Sequence, residues 1–455
     1  MTSQSLLTYG AKIFNIQQEY YAPVATVNGT LISSLYCVLA KVDNWVDDNN
    51  PPAPTQDQKT IKNFLKNVFA AKQITSNDIS PVITRINWTS GVTYDYYRDD
   101  IDIFEKDTNG FPIYSFYVKN KYDQVFKCLW NAGGAPSTYE PYFEPGSYNT
   151  NGIYQNLDGY KWHYIFTIDT ASKVKFMDTS WIPVPVSGSA PNPLDSPTGE
   201  GTGGLDVITV LAGGQGYDEA NAIVSLVVTG DGNGANGTVV ITNGAVTDIL
   251  ITNPGTNYNY ANAYIMSANG SGAILGANTV SPIGGHGYNP VAELGCDHVM
   301  ISTEFTGSEG SKLPTDITYH QIGLLINPTT NSLSPLPANG SIYQTSTDLV
   351  VSSGFGLFVN DEIVYQGTSI DTATFIGTVL TFDSSTNRLS LINTTGTLTI
   401  NAPMFGNISG TARTLLSYTT PDFITLSGYL SYMENRSAIT RSSDGIEQFK
   451  IVLGY

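Results

Sequence analysis

Asp158-Gly-Tyr-Lys-Trp-His-Tyr-Ile-Phe-Thr-Ile168 decides the fold class. Asp158-Gly159 is a turn signal: glycine takes positive φ freely and aspartate bonds to nearby backbone. Lys161–Ile168 then has the aromatic and β-branched content of a strand. Tyr160, Trp162 and Tyr164 alternate, so they share one side of it. Outward from here the same grammar recurs. Leu35, Cys37 and Leu39 alternate with Tyr36, Val38 and Ala40, and Ile439 to Leu453, with a turn at Asp444-Gly445, reads as a C-terminal hairpin. The clearest exception is 56–72, where Ile61, Phe64, Leu65, Val68 and Phe69 form one apolar stripe at helical spacing. Thr55 and Gln58 there have capping-box spacing. A second, weaker helix is expected near 9–20. The chain is expected to be mainly β with a few helices, in several nested antiparallel β-sandwich or barrel modules.

At 455 residues the chain has room for two to four domains. Its net charge of −18 rests on only 13% charged residues, so polarity comes mainly from Asn, Thr, Ser, Gly and Tyr, which suit strands and turns. An acidic chain without a basic run repels phosphate backbones, so no nucleic-acid partner is expected. Cys37, Cys128 and Cys296 are distant and odd in number, and read as reduced, buried thiols. No stretch of 18 apolar residues is present, so no membrane span is expected. Met1-Thr-Ser-Gln-Ser-Leu-Leu lacks the charged-then-apolar pattern of a secretion signal, which points to synthesis in a cytosol.

Residues 187–204, rich in Ser, Gly and Pro, read as a linker. An internal repeat follows. Gly216-Tyr217 leads to Ala220-Asn-Ala222, and Asn257-Tyr258 leads to Ala261-Asn-Ala263. Each copy then reaches a Gly-x-Gly-Ala, at Gly232–Ala235 and Gly270–Ala273, and Gly284-Gly-His-Gly-Tyr288 is a third, partial start. Two similar strand–turn–strand units are expected to stack into one small β-domain over 205–290, with Gly/Tyr corners of positive φ capped by an aromatic. Short strands at Glu362–Gly367, Ala373–Gly377, Val379–Phe382 and Arg388–Ile392 predict a small barrel or sandwich over 342–413.

The chemical motifs lead to no reaction. Gly232-Asn-Gly-Ala-Asn-Gly237 has dinucleotide spacing, but the strand-like Thr238–Thr242 follows where a phosphate-binding helix is needed. Gly213-Gly-Gln-Gly-Tyr-Asp218 matches one calcium nonapeptide without a tandem copy. Asp95, Asp99, Asp100 and Asp102 surround Arg98 and read as a solvated loop or an ion pair rather than a cation site. His163, His286, His298 and His320 are scattered. No catalytic residue, cofactor or metal is expected. Twenty-eight tyrosines raise the question of binding surfaces: Tyr139, Tyr142, Phe143 and Tyr148 suit a protein interface, a packed loop or a sugar platform.

Several phrases carry a resemblance. Gly428-Tyr-Leu-Ser-Tyr-Met-Glu-Asn-Arg436 resembles the Gly-x-Met-Ile-Tyr-Met-Glu-Asn-Arg of the gene-eight baseplate wedge proteins of T4-type contractile-tailed phages. Asp158–Phe166 resembles that family's Asp-Gly-Tyr-x-Trp-x-Tyr-x-Phe. Leu39-Ala-Lys-Val-Asp-Asn-Trp45 with Asn50-Pro-Pro-Ala-Pro54, Pro81–Trp88, Val125–Leu129, and Leu313-Pro with His320–Pro328 resemble further family phrases in the same order. The resemblance covers roughly 1–186, 291–328 and 427–455, while 187–290 and 329–426 look like insertions.

The resemblance implies a wedge core formed by 1–186, to which 291–341 and 414–455 return, with both chain ends in one domain. It implies a structural, non-enzymatic role in the virion, at the tail baseplate: a homodimer that holds other wedge subunits together during assembly and baseplate rearrangement. Tyr160, Trp162, Tyr164, Glu434, Asn435 and Arg436 become the candidate interface residues, with support of the core as the competing role for both phrases. The alternative function is a tail-fibre or host-recognition protein that binds surface glycans.

Overall fold

The strand that follows Asp158-Gly159 organises a four-stranded sheet. The computed structural model describes residues 8–21, 24–27, 30–144, 153–186, 203–218, 224–282, 285–310, 312–332 and 336–455. Most of the 187–204 linker, and Tyr148, Ala220–Ala222 and Gly284 of the sequence motifs, lie outside them. Gly159 takes φ 86°, and Tyr160–Thr167 turns back on Ile153–Gln155. Its other edge pairs with Gln124–Asn131, in the register Cys128↔Trp162, which in turn pairs with Tyr117–Lys119. The architecture is mainly β throughout, in antiparallel sheets that include one closed barrel.

The chain divides into two compact units. The first takes Met1–Gln17, Ser80–Met300 and Val452–Tyr455; the second takes Gln18–Ile79 and Ile301–Ile451. Region 1–186 thus contributes to both.

In the first unit, Tyr160, Trp162 and Tyr164 enter a core with Tyr94, Phe126 and Phe143. The repeat segment forms three two-stranded antiparallel sheets: Leu205–Gln215 with Ser271–Val280, Ser225–Gly230 with Ala261–Met266, and Asn236–Thr242 with Ala245–Asn253. Gly216 and Asn257 do take positive φ, 78° and 63°. The aromatic caps are exchanged between the repeats. Tyr217 of the first lies on Gly270 of the second and accepts from the Ala273 amide (3.1 Å). Tyr258 of the second lies on Gly232 of the first and accepts from the Ala235 amide (3.4 Å). A Cβ at either glycine would fall 2.3–2.4 Å from the facing ring, so only glycine fits.

In the second unit a sheet runs in the order Ile342–Gln344, Val68–Ile74, Thr30–Ala40, Ile317–Ile326, Tyr429–Arg441, with Val24–Val27 folded back on Thr30–Ala40. Both faces of its middle are covered: Leu35 through Ala40 are all buried, so alternation there does not mean one wet face. The helix expected over 56–72 is shorter, Gln58–Lys66. Asn67 closes it, its backbone and side-chain amides both returning to the Asn63 carbonyl (3.2 and 2.8 Å). Val68 and Phe69 then enter a central strand that is buried on both faces. There, strand pairing and β-propensity override the helical period. Asp57, rather than Thr55, is the N-cap, accepting from the Thr60 amide (2.9 Å). The weak helix expected near 9–20 forms as Tyr9–Tyr21.

The C-terminal hairpin does not form. Tyr429–Arg441 pairs with Ile317–Ile326, while Ile446–Gly454 joins a different sheet beside His298–Thr306. The corner between them holds the buried guanidinium of Arg441, bonded to Glu447 and to the carbonyls of Gly307 and Pro314. A buried charge there needs these partners, and seating it parts the two strands.

The barrel closes as Thr347–Val351, Arg388–Gly396, Phe375–Asp383, Ile363–Gln366, Pro403–Gly406 and Ala412–Thr419. The strands expected at 373–377 and 379–382 are one strand with register shifts at Ile376/Thr378 and Val379/Thr381.

Candidate functional site

Among the described residues, Tyr429–Arg441 is the end strand of its sheet, and one row of its backbone groups pairs with no strand. Such an edge is normally blocked or used. Here side chains of alternate residues do different work. Glu434 and Arg436 share a face: Arg436 Nε lies 3.0 Å from Glu434 Oε1 and Nη2 3.1 Å from Oε2, a two-pronged pair. Tyr432 donates its hydroxyl to the same carboxylate (3.0 Å), and burial plus that negative charge push the phenol up to about 12. Asn435 accepts from Gln321 Nε2 (2.7 Å) and donates to the Pro52 carbonyl (2.8 Å).

The Pro-rich segment is thereby laid along the edge. Trp45 Nε1 donates to the Arg436 carbonyl (2.7 Å), its ring stands edge-on to His320, and Asp48 lies 3.3 Å from His320 Nε2. Three separated phrases, around 45–52, 320–321 and 434–436, meet at one place. Proline and the indole serve such a strap well: they cover backbone while few of their own amides need partners.

The other three candidates lie elsewhere. Tyr160, Trp162 and Tyr164 are buried in the first unit and face no solvent. Trp162 stacks on Tyr160, Tyr164 stacks on Phe143 (4.4 Å), and Tyr160 donates to the Ala135 carbonyl (2.6 Å). Of the two readings of that phrase, core support is the one these positions meet. Asp158 holds the neighbouring loop through the amides of Thr138 and Tyr139 (2.8 and 3.0 Å). Within that loop Phe143 is core, while Tyr139 and Tyr142 are half exposed, Tyr142 against Tyr122 (4.9 Å). Arg98 makes the ion pair expected of it, with Asp100 (2.7 Å). The three cysteines are free and buried, and burial pushes Cys37 and Cys296 up to about 12.

A buried charge network escaped the sequence reading. His286 faces carboxylates from both ring nitrogens, Glu293 at 2.5 Å and Asp206 at 2.8 Å. Two acceptors require two ring protons, so the imidazole is an imidazolium. Burial alone lowers its pKa, but the two carboxylates outweigh this and raise it to about 9. Lys127 pairs with Glu293 (3.1 Å) and sits over the Tyr97 ring. His163 lies 4.3 Å from His286, ring to ring, and burial followed by that positive neighbour lowers it to about 3, leaving it neutral. Two cations and two carboxylates balance, as a buried cluster must. The only signal was the histidine inside the partial third repeat, 284–288. The side chains of all five residues are buried.

Among the described residues, no three His, Cys, Asp or Glu side chains are placed to share a metal ion, and no helix is long and apolar enough to cross a membrane. No family model and no curated protein matches the chain.

Proposed function

We propose that this chain is a structural, non-enzymatic subunit of a phage tail baseplate wedge, made in the host cytoplasm and acting as a homodimer among other wedge subunits. The observation that carries this reading is the meeting of three wedge-like phrases on one sheet edge: Trp45 and Pro52, His320 and Gln321, Asn435 and Arg436. A subunit that holds neighbours in place works by presenting fixed surfaces. An edge strand strapped by its own chain, with Arg436 and Glu434 outward, is such a surface. Mass spectrometry of purified virions tests the reading. The chain is expected in the baseplate fraction at a stoichiometry matching the wedges, and its absence from virions would refute it.

A second reading, a glycan-binding tail-fibre or host-recognition protein, is favoured by the paired and half-exposed Tyr122 and Tyr142. A glycan array with the native chain and Tyr142→Ala separates the two: binding lost in the variant supports recognition.

A further inference from the structure

Within the first unit a cleft lies between the four-stranded sheet and the repeat segment. Its volume is about 390 Å³, and it is lined by Trp130, Gln155 and Lys161 from the sheet and by Val207, Thr247 and Asp248 from the repeat segment. That volume falls in the range of small-molecule sites.

The sheet builds its side as a row. Trp130 on Gln124–Asn131 lies opposite Lys161 on Tyr160–Thr167, and Lys161 lies opposite Gln155 on Ile153–Gln155. Residues directly opposite in antiparallel pairs share a face, so an indole, an ammonium and a carboxamide stand side by side. Trp130 is half-buried and set against Tyr96 in an edge-to-face pair (5.2 Å). Asp248 meets the row from the hairpin of Asn236–Thr242 and Ala245–Asn253. Its Oδ1 accepts from Lys161 Nζ (2.7 Å) and from the Ile249 amide (2.8 Å), and its Oδ2 accepts from Gln155 Nε2 (3.2 Å).

These bonds leave a defined set of positions unfilled. Among the described residues, Asp248 Oδ2 has one partner, and the Gln155 carboxamide uses one of its two amide hydrogens and not its oxygen. The ammonium of Lys161, a side chain only 8% exposed, is balanced by Asp248, so the group as a whole favours a neutral ligand over an anion. A hydroxyl both donates and accepts. Two neighbouring hydroxyls therefore match this set, donating to Asp248 Oδ2 and the Gln155 oxygen while accepting from the free Gln155 amide hydrogen and from Lys161. The indole beside them supplies a broad apolar surface. A ring with an apolar C–H face and adjacent hydroxyls on its rim answers both halves of the row.

We propose that this cleft binds a neutral saccharide, with one hexopyranose unit against Trp130 and two adjacent hydroxyls on Asp248 and Gln155. It uses none of the residues of the Tyr122–Tyr142 surface, and it holds for a wedge subunit and a fibre subunit alike.

The test offers the purified full chain a printed array of neutral and acidic microbial oligosaccharides, followed by calorimetric titration with the strongest binder. Neutral hexose-bearing glycans are expected to bind. They should change tryptophan fluorescence in the native chain but not in Trp130→Phe, which keeps an aromatic ring beside Tyr96. Gln155 and Thr247 are both exposed. Gln155→Ala should weaken binding about tenfold, and Thr247→Arg, whose side chain fills the cleft, should abolish it, both at an unchanged melting temperature. No glycan bound, acidic glycans alone bound, or a fluorescence change that persists in Trp130→Phe would each overturn the proposal. So would binding that both Gln155→Ala and Thr247→Arg retain, and its loss in Tyr142→Ala would then assign it to the Tyr122–Tyr142 surface.

Discussion

Asn435 donates its side-chain amide to the backbone carbonyl of Pro52 across 383 positions of sequence (2.8 Å), while its oxygen accepts from buried Gln321. One side chain thus fastens the Pro-rich strap to the sheet edge and satisfies an interior amide. Asn435→Ala leaves the Gln321 amide without this acceptor and is expected to cost about 1–3 kcal/mol. It should also speed proteolysis between Val46 and Asn50. Urea unfolding and timed digestion check both, and an unchanged digestion rate would show that the strap does not depend on Asn435.

Arg436→Ala should behave differently. Its pair with Glu434 is solvent-exposed, and such pairs contribute roughly 0–1 kcal/mol. The variant is expected to stay soluble and folded, with any defect confined to assembly. Sedimentation of the native chain and the variant decides: a folded monomer from a dimeric parent supports an interface role, whereas lost solubility assigns the residue to the fold.

The exchanged tyrosines of the repeat domain predict a symmetric pair of lesions. Gly270→Ala drives a methyl into the Tyr217 ring and Gly232→Ala into the Tyr258 ring, each overpacking change costing about 1–3 kcal/mol. Tyr217→Phe removes only the bond from the Ala273 amide, worth about 1 kcal/mol. Thermal melts of the three variants should rank Tyr217→Phe as the mildest.

The two buried histidines predict stability that peaks near pH 6–7. His286 is raised to about 9, so its contribution is complete below its unfolded pKa of about 6.5 and is lost as pH rises through 9. His163 is lowered to about 3, so the folded state refuses a proton that the unfolded chain accepts. Stability therefore falls as pH drops from about 6.5 towards 3. The limbs are on the order of 3 kcal/mol for His286 and about 5 kcal/mol for His163 at most. His163→Gln should flatten the acid limb. His286→Gln should remove the alkaline limb and cost about 3–5 kcal/mol at neutrality, by leaving buried Asp206 without its cation and Glu293 with Lys127 alone. Melting curves from pH 4 to 10 check both.

The β character was legible because it is local: the Asp158-Gly159 turn, the alternation after it and the paired Gly/Tyr corners are properties of short stretches. The errors fell where distant partners decide. Val68 and Phe69 continue a helical stripe in sequence, yet a waiting sheet takes them as a strand. Asp444-Gly445 turns the chain, but buried Arg441 at the corner sends the flanking strands to different sheets. Alternation placed Tyr160, Trp162 and Tyr164 on one face without saying whether that face meets solvent or core. Asn435 and Arg436 were picked out by sequence, but their partners Trp45 and Pro52 lie nearly the whole chain away. The His286 network draws Lys127, Asp206 and Glu293 from three separate segments, and no spacing rule joins them.

The most direct test of a baseplate role is electron microscopy of intact virions labelled with an antibody against this chain. Label at the plate on the distal end of the tail is the expected result. Label confined to fibre tips would contradict the wedge reading and favour host recognition, and virions without label would contradict both.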